Sequence, residues 1–375
     1  MFDIPSLKIG KLFGIPIEVN LSWIVIFGLI SYSLGAQWFP KVPQSAGAPQ
    51  WEFYLLGAIT ALLFFFSIVL HELSHSLVAR AEGGHVDKIT LFIFGGVAQI
   101  DDEPTTAGRE FLMAAAGPGM SIVIALAALI AFAVTSSAGL PWWVWSPLQY
   151  LAAINFFVGV FNLLPGFPMD GGRVLRSILW GLSRDLLSAT RWAVRVGQFI
   201  GWSLVVLAVV TALNGNLSFV WLGLIGWFIT TLAGQAYRQQ VLRSRTSAVA
   251  VGEIMSRDPE SIDASESLED AIGEHFLGKG HSRYPVVQDG SVVGLITLPD
   301  VKTVSRSEWH STRVGDVANK DLGGLVVAAD TPVDKVLQRL SSDKPGALLV
   351  VGDGHLVGIV TRADVIGLLQ GGAAA

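Results

Sequence analysis

No cysteine occurs anywhere in the 375 residues. That absence excludes disulfide stapling and any metal site built on thiolates, while leaving the compartment open. Charge is scarce too. Only 15% of residues are Asp, Glu, Lys or Arg, against about 25% in an ordinary soluble domain. The net charge of −5 argues against nucleic acid as a partner. The stretch from Met1 to Asn20 lacks an apolar core followed by a small-residue cleavage site, so no removable signal peptide is expected. Apolar and aromatic residues fill the composition instead, with a mean hydropathy of +0.55 and twelve tryptophans. A polytopic membrane protein is the default class, and the length predicts two or more domains.

Six stretches are long and apolar enough to enter a bilayer as helices. They run approximately over 21–38, 53–80, 111–134, 148–172, 196–213 and 217–237. Asn214-Gly215-Asn216 is a turn signal that makes the last two an antiparallel hairpin. Basic residues set the orientation. With the N-terminus inside, the inner segments hold Lys8, Lys11, Arg80, Lys88, Arg109, Arg173, Arg176, Arg184, Arg191, Arg195, Arg238, Arg243 and Arg245, against Lys41 alone outside. Both termini of this multi-pass chain are therefore expected on the cytosolic side of the cell membrane.

The second stretch carries an unusual load. Ile68-Val69-Leu70-His71-Glu72-Leu73-Ser74-His75-Ser76 places two histidines and a carboxylate where an ionisable group costs roughly 2.5–3.5 kcal/mol on insertion scales. The spacing supplies a compensating partner. Residues i and i+4 share a helix face, so His71 and His75 can reach one Zn²⁺, with Glu72 beside it to handle a metal-bound water. Alone, His-Glu-x-x-His is short and arises by chance in many chains. A third ligand candidate closes the fourth stretch, in Asn162-Leu163-Leu164-Pro165-Gly166-Phe167-Pro168-Met169-Asp170-Gly171-Gly172. Pro165, Gly166 and Pro168 break the helix and let the Asp170 carboxylate turn inward. The alternative is that Asp170 merely caps the next helix.

Together the two motifs resemble the site-2 protease family of intramembrane zinc metalloproteases. That family pairs an HExxH helix with a later Asn-x-x-Pro-x-x-x-x-Asp-Gly, here Asn162, Pro165, Asp170 and Gly171. The resemblance implies that His71, His75 and Asp170 hold one zinc per chain and that Glu72 is the general base. It also implies that Asn162 orients or polarises the substrate carbonyl; a plain interhelical hydrogen bond is the alternative for that amide. Depth is consistent. His71 lies nine residues before Arg80, roughly 13 Å into the membrane at 1.5 Å per residue, and Asp170 lies toward the same side.

Between the second and third stretches, residues 87–100 are rich in β-branched and aromatic residues around a Gly-Gly break, and read as a short membrane-associated β-hairpin. The resemblance implies a sheet edge that pairs with an extended substrate strand; a peripheral hairpin packed on the bundle stands equally open. Gly117-Pro118-Gly119 marks a kink with close helix packing. His85 reads as a surface residue, and Trp142, Trp143 and Trp145 as interfacial anchors in an external loop.

From Thr246 onward the chain reads as soluble α/β and repeats itself. Val251-Gly252-Glu253-Ile254 recurs as Val314-Gly315-Asp316-Val317, and the run from Tyr284 to Thr297 recurs as Ala347 to Thr361, with offsets of 63 and 64. The Asp-Gly pairs at 289–290 and 353–354 signal hairpin turns, and helical stretches are expected over 267–276 and 331–340. The unit resembles a tandem pair of CBS domains, regulatory modules of the cystathionine-β-synthase type. Its closing Gly-x-x-Thr-x-x-Asp appears as Gly294, Thr297, Asp300 and as Gly358, Thr361, Asp364. The resemblance implies a cleft for an adenosine-containing ligand such as an adenine nucleotide, with Asp300 and Asp364 on ribose hydroxyls and Thr297 and Thr361 near phosphate. The alternative is a dimerisation plate that binds nothing.

The expected organisation is a six-helix membrane protease domain over 1–245, joined by a short basic linker, Arg238 to Arg245, to CBS repeats over 246–310 and 311–375. The expected activity is endoproteolysis of membrane-spanning proteins, regulated from the cytosol, in a homodimer formed through the CBS repeats. The rival is a CBS-regulated ion channel or transporter with a His/Asp-lined pathway. A pathway does not require Glu72 between two ligand-spaced histidines.

Overall fold

The computed structural model describes residues 6–93, 95–100, 104–341, 346–352 and 355–371. The chain divides into two compact units, Met1–Arg238 and Gln239–Ala375.

Among the described residues, six helices are long and apolar enough to cross a membrane. They are α1 (Trp23–Ser33), extended by further turns to Lys41, then α2 (Gln50–Ala81), α3 (Ala107–Ser137), α4 (Trp142–Asn162), α6 (Leu186–Leu213) and α7 (Val220–Ser247). Much of their apolar surface faces outward, as Leu55, Ile59, Leu62 and Phe66 do on α2, the pattern of helices solvated by lipid. Close approach depends on small residues. A Cβ on Gly57 of α2 would stand 2.5 Å from the Ser31 carbonyl of α1, and one on Gly159 of α4 3.2 Å from that of Pro118 on α3.

Several expected boundaries move. The fourth stretch does not run to Gly172; α4 ends at Asn162, and Asp170–Ser183 forms a separate helix, α5. Pro165 and Pro168 remove two N–H donors within four residues, with Gly166 between them, and the helix breaks there. The three tryptophans expected in an external loop instead form the start of α4. Helix α6 begins at Leu186, where Asp185 accepts from the Leu187 and Ser188 N–H groups, an N-cap that sets the start ahead of the apolar window. The basic stretch read as a linker continues α7. Pro118 lies inside a continuous α3.

Four strands make one small sheet in the first unit: β1 (Ser6–Leu12), β2 (Ile15–Asn20), β3 (Val86–Phe92) and β4 (Gly95–Ile100), in that spatial order. The expected hairpin is β3–β4; its Phe94 lies outside the described residues. Residues 6–20 add a second hairpin, turned at Phe13 and Gly14 with φ of 49° and 81°, and β2 runs parallel to β3 with Ile17 opposite Ile89. Ile15, Ile17, Ile89 and Leu91 share a core with Val69, Leu73 and Ala79 of α2 and Met113 of α3. The sheet is thereby clamped to the part of α2 that carries the histidines.

In the second unit, β6 (Ile262–Asp263), β7 (Arg283–Gln288) and β8 (Ser291–Thr297) continue into β11 (His355–Thr361), β10 (Ala347–Gly352) and β9 (Val326–Ala328), while β5 (Ser256–Arg257) pairs with β11. The order is symmetric between repeats, and both hairpins shift register at equivalent points, Val286/Val287 and Val350/Val351. Asp289 and Gly290 form the first expected turn, with φ of 49° and 78°; the second, Asp353-Gly354, lies outside the described residues. The helical stretches fall at 268–277 and at Val333–Ser341. The opening turns cross over. Val251 packs with Val333, Leu340 and Val350 of the second repeat, and Val314 packs with Leu268, Tyr284 and Ile296 of the first.

Candidate active site and metal centre

Helix α2 places His71 and His75 on one buried face, one turn apart, as their spacing requires. Helix α3 crosses that face and holds each outer ring nitrogen. His75 Nδ1 lies 2.6 Å from the Met113 carbonyl oxygen and His71 Nδ1 lies 2.9 Å from Ser121 Oγ. A carbonyl only accepts, so the His75 proton belongs on Nδ1 and its Nε2 presents a lone pair. The Ser121 contact allows the same tautomer for His71.

Asp170 arrives from α5. Its Oδ2 lies 3.2 Å from His71 Nε2 and 3.3 Å from His75 Nε2, and the two Nε2 atoms are 3.3 Å apart. Glycine makes this approach possible. A Cβ on Gly171 would stand 2.3 Å from the Leu163 carbonyl oxygen, and one on Gly172 2.3 Å from Gly166 and Phe167 backbone atoms. Asp170-Gly171-Gly172 therefore lets α5 begin directly against the turn that follows α4. The carboxylate turns onto the histidines rather than serving only as a helix cap.

Two ring nitrogens and a carboxylate oxygen gathered this closely form a set that a bound cation would stabilise. The set of two imidazoles and one carboxylate is the ligand chemistry of catalytic zinc, which leaves a further position open. Space for the ion is kept by a missing side chain. A Cβ on Gly117 of α3 would lie 2.1 Å from His75 Nε2 and 2.6 Å from His71 Nε2. The residues fit zinc.

Glu72 is half-buried beside this cluster. Strand β4 passes over it: a Cβ on Gly96 would touch Glu72 Cγ at 2.6 Å. Asn162 ends α4 and is half-buried. Met113 and Ser121 escaped the sequence reading, because a backbone carbonyl has no sequence signature and a lone serine in an apolar helix has many roles. Their spacing of four residues either side of Gly117 is a signal that could have found them. Another potential ligand group, Glu266, Glu274 and His275, lies in the second unit. There His275 and Glu266 are 3.6 Å apart, and burial holds the Glu266 carboxyl above the usual range.

The second unit also has a cleft of about 1110 Å³ lined from both repeats. Thr297, Asp300, Thr361 and Asp364 all reach it, with Arg283 and Arg362. Thr297 donates through its N–H and Oγ1 to Asp300 Oδ2 at 2.9 and 2.5 Å, and Thr361 does the same to Asp364 at 2.8 Å for both. Each pair fixes a helix start at the cleft wall.

Comparison with known proteins agrees with this geometry. Residues 59–141 and 137–210 match peptidase family M50, and 251–306 and 314–371 match the CBS domain. A Synechocystis protein named as a zinc metalloprotease is 35% identical over 98% of this chain and 97% of its own length. A zinc metalloprotease of Methanocaldococcus jannaschii is 30% identical over 96% and 95%. The solved site-2 protease from M. jannaschii is 31% identical, covering 62% of this chain and 95% of its own, with a TM-score of 0.42. The chain belongs to the M50 family of zinc metalloproteases, the site-2 protease type, and carries a tandem CBS pair. It is a multi-pass membrane enzyme.

Proposed function

We propose that this chain is an intramembrane endopeptidase that holds one zinc through His71, His75 and Asp170 and cuts membrane-spanning proteins within the bilayer. The observation that carries this reading is the convergence of the three ligand atoms beside Glu72 on a membrane-crossing helix. A bound zinc supplies Lewis acidity toward water and the scissile carbonyl. Glu72 takes the proton of the attacking water and returns it to the leaving amine. Asn162 polarises the carbonyl from the end of α4. The outer edge of β4, adjacent to Glu72, offers backbone groups to an extended substrate strand. An ion pathway gains nothing from histidines whose outer nitrogens are pinned by Met113 and Ser121, and that favours the enzyme over a channel or transporter.

The basic residues favour cytosolic termini. They also favour a site toward the cytosolic face, with residues 1–245 as the protease and 246–310 and 311–375 as cytosolic regulatory repeats. The purified full chain is expected to hold one zinc and to cut a single-span reporter within the cytosolic half of its span. A strong chelator should remove both zinc and cleavage, and added zinc should restore them. A metal-free, inactive wild type would overturn the assignment, and a cut in the outer half would overturn the orientation.

The cleft in the second unit is proposed to take an adenine nucleotide, with Asp300 and Asp364 accepting from ribose hydroxyls and Thr297 and Thr361 near phosphate. Arg283 and Arg362 add charge suited to phosphate. Such a ligand alters proteolysis only through its differential affinity for two states of the chain. Calorimetric titration of the full chain with ATP, ADP, AMP and S-adenosylmethionine should show binding to at least one. Asp300→Ala or Asp364→Ala should weaken it about tenfold, roughly the 1.4 kcal/mol of one good hydrogen bond. No heat with any of the four would leave the repeats as a homodimerisation element alone.

A further inference from the structure

Helix α3 carries a line of contacts that the proposed chemistry does not use in full. Glu110, Met113, Gly117 and Ser121 are spaced three, four and four residues apart, which puts them on one helix face. Three of them meet the histidines: Met113 and Ser121 hold the outer nitrogens, and Gly117 makes room at the inner ones. The fourth, Glu110, is 1% exposed and faces α5. Arg176 Nε donates to Glu110 Oε1 at 2.6 Å and its terminal nitrogen donates to the same oxygen, while Arg173 Nε lies 3.9 Å away. The Arg176 guanidinium also sits 5.2 Å over the Phe167 ring, in the turn that leads to Asp170.

We propose that Glu110 is a positioning residue for the zinc site: by anchoring Arg176 it fixes α5, and with it Asp170, against the two histidines. The proposal rests on the zinc reading of His71, His75 and Asp170. Arg176 lies six residues beyond Asp170 on α5, about 9 Å along the helix, so the pair works through the helix and not by contact with the metal ligands. Its suitability follows from its surroundings. A buried carboxylate–guanidinium pair is directional and costly to break, which favours one seat for α5 on α3. Arg176 also packs on Phe167, so the same side chain ties both the helix that bears Asp170 and the turn before it. One face of α3 then sets all three ligands, two through ring nitrogens and one through this pair.

The test is Glu110→Gln in the full chain, purified in detergent and read well below its melting temperature. Loss of zinc to an excess of chelator should be at least tenfold faster than in wild type. The visible spectrum of the cobalt-substituted protein should shift as the carboxylate ligand is displaced. Glu110→Asp, one methylene shorter but still charged, should fall between the two, and it serves as the reading if Glu110→Gln does not fold. A merely structural role would lower the melting temperature and leave the cobalt spectrum and zinc loss unchanged in the folded protein; that result would overturn the proposal. Failure of the zinc reading itself would appear differently, as a wild type that binds neither metal.

Discussion

Gly117→Ala is expected to empty the zinc site while leaving the helix intact. The added methyl would need to occupy a point 2.1 Å from His75 Nε2 and 2.6 Å from His71 Nε2, well inside any non-bonded contact. Helix α3 cannot retreat easily, because Met113 and Ser121 on the same face are bonded to those histidines and overpacking typically costs about 1–3 kcal/mol even in adaptable cores. The rings must turn away, and turned rings do not converge on an ion. Zinc affinity should fall by at least about a hundredfold, the upper range seen when ligand-orienting partners are lost. Gly119→Ala is the control: it lies on the same helix, two residues on, and a Cβ there meets nothing within 4 Å. Zinc content measured on both variants separates the explanations. Equal loss in the two would mean that α3 merely tolerates no alanine near Pro118, and normal zinc in Gly117→Ala would remove the site from this face.

Glu72→Gln should leave zinc bound and stop proteolysis. Glutamine preserves the shape of the side chain beside Gly96, but it cannot take a proton from water. General acid–base groups contribute about 10²–10⁴-fold to rate, so cleavage of a membrane-spanning reporter should fall by at least that lower figure, with one zinc per chain retained. Full cleavage by this variant would sink the assignment of Glu72 as the base. Loss of zinc along with activity would instead point to Glu72 as a ligand.

The local chemistry of the site was legible because it is written in short-range periodicity. His71 and His75 share a helix face by spacing alone, and an ionisable group within an apolar run calls for a partner of the type Asp170 supplies. The resemblance carried by Asn162, Pro165 and Asp170 joined the two segments before any coordinates did. The six apolar stretches and the recurrence of Tyr284–Thr297 at Ala347–Thr361 were equally open to reading, since hydrophobic length and internal repetition need no tertiary information. Helix ends were less so. Polar caps such as Asp185, and the continuation of α7 through its arginines, extend helices beyond the apolar window that reveals them.

What tertiary structure alone decided are the pairings between residues far apart in the chain. The hairpin of residues 6–20 joins the sheet because β2 finds β3, about seventy residues on, with Ile17 opposite Ile89. Val251 and Val314 repeat in sequence, yet each packs in the other repeat's core, a choice that neither local propensity nor repetition encodes. Gly117 marked close packing, but only the crossing of α3 over α2 shows that its missing side chain leaves the inner ring nitrogens of both histidines uncovered. Residue spacing determines which side chains share a face, and it put His71 and His75 side by side on α2. Which face meets which is set by the summed packing of whole elements, and that placed Asp170, Glu110 and Ser121 around those ligands.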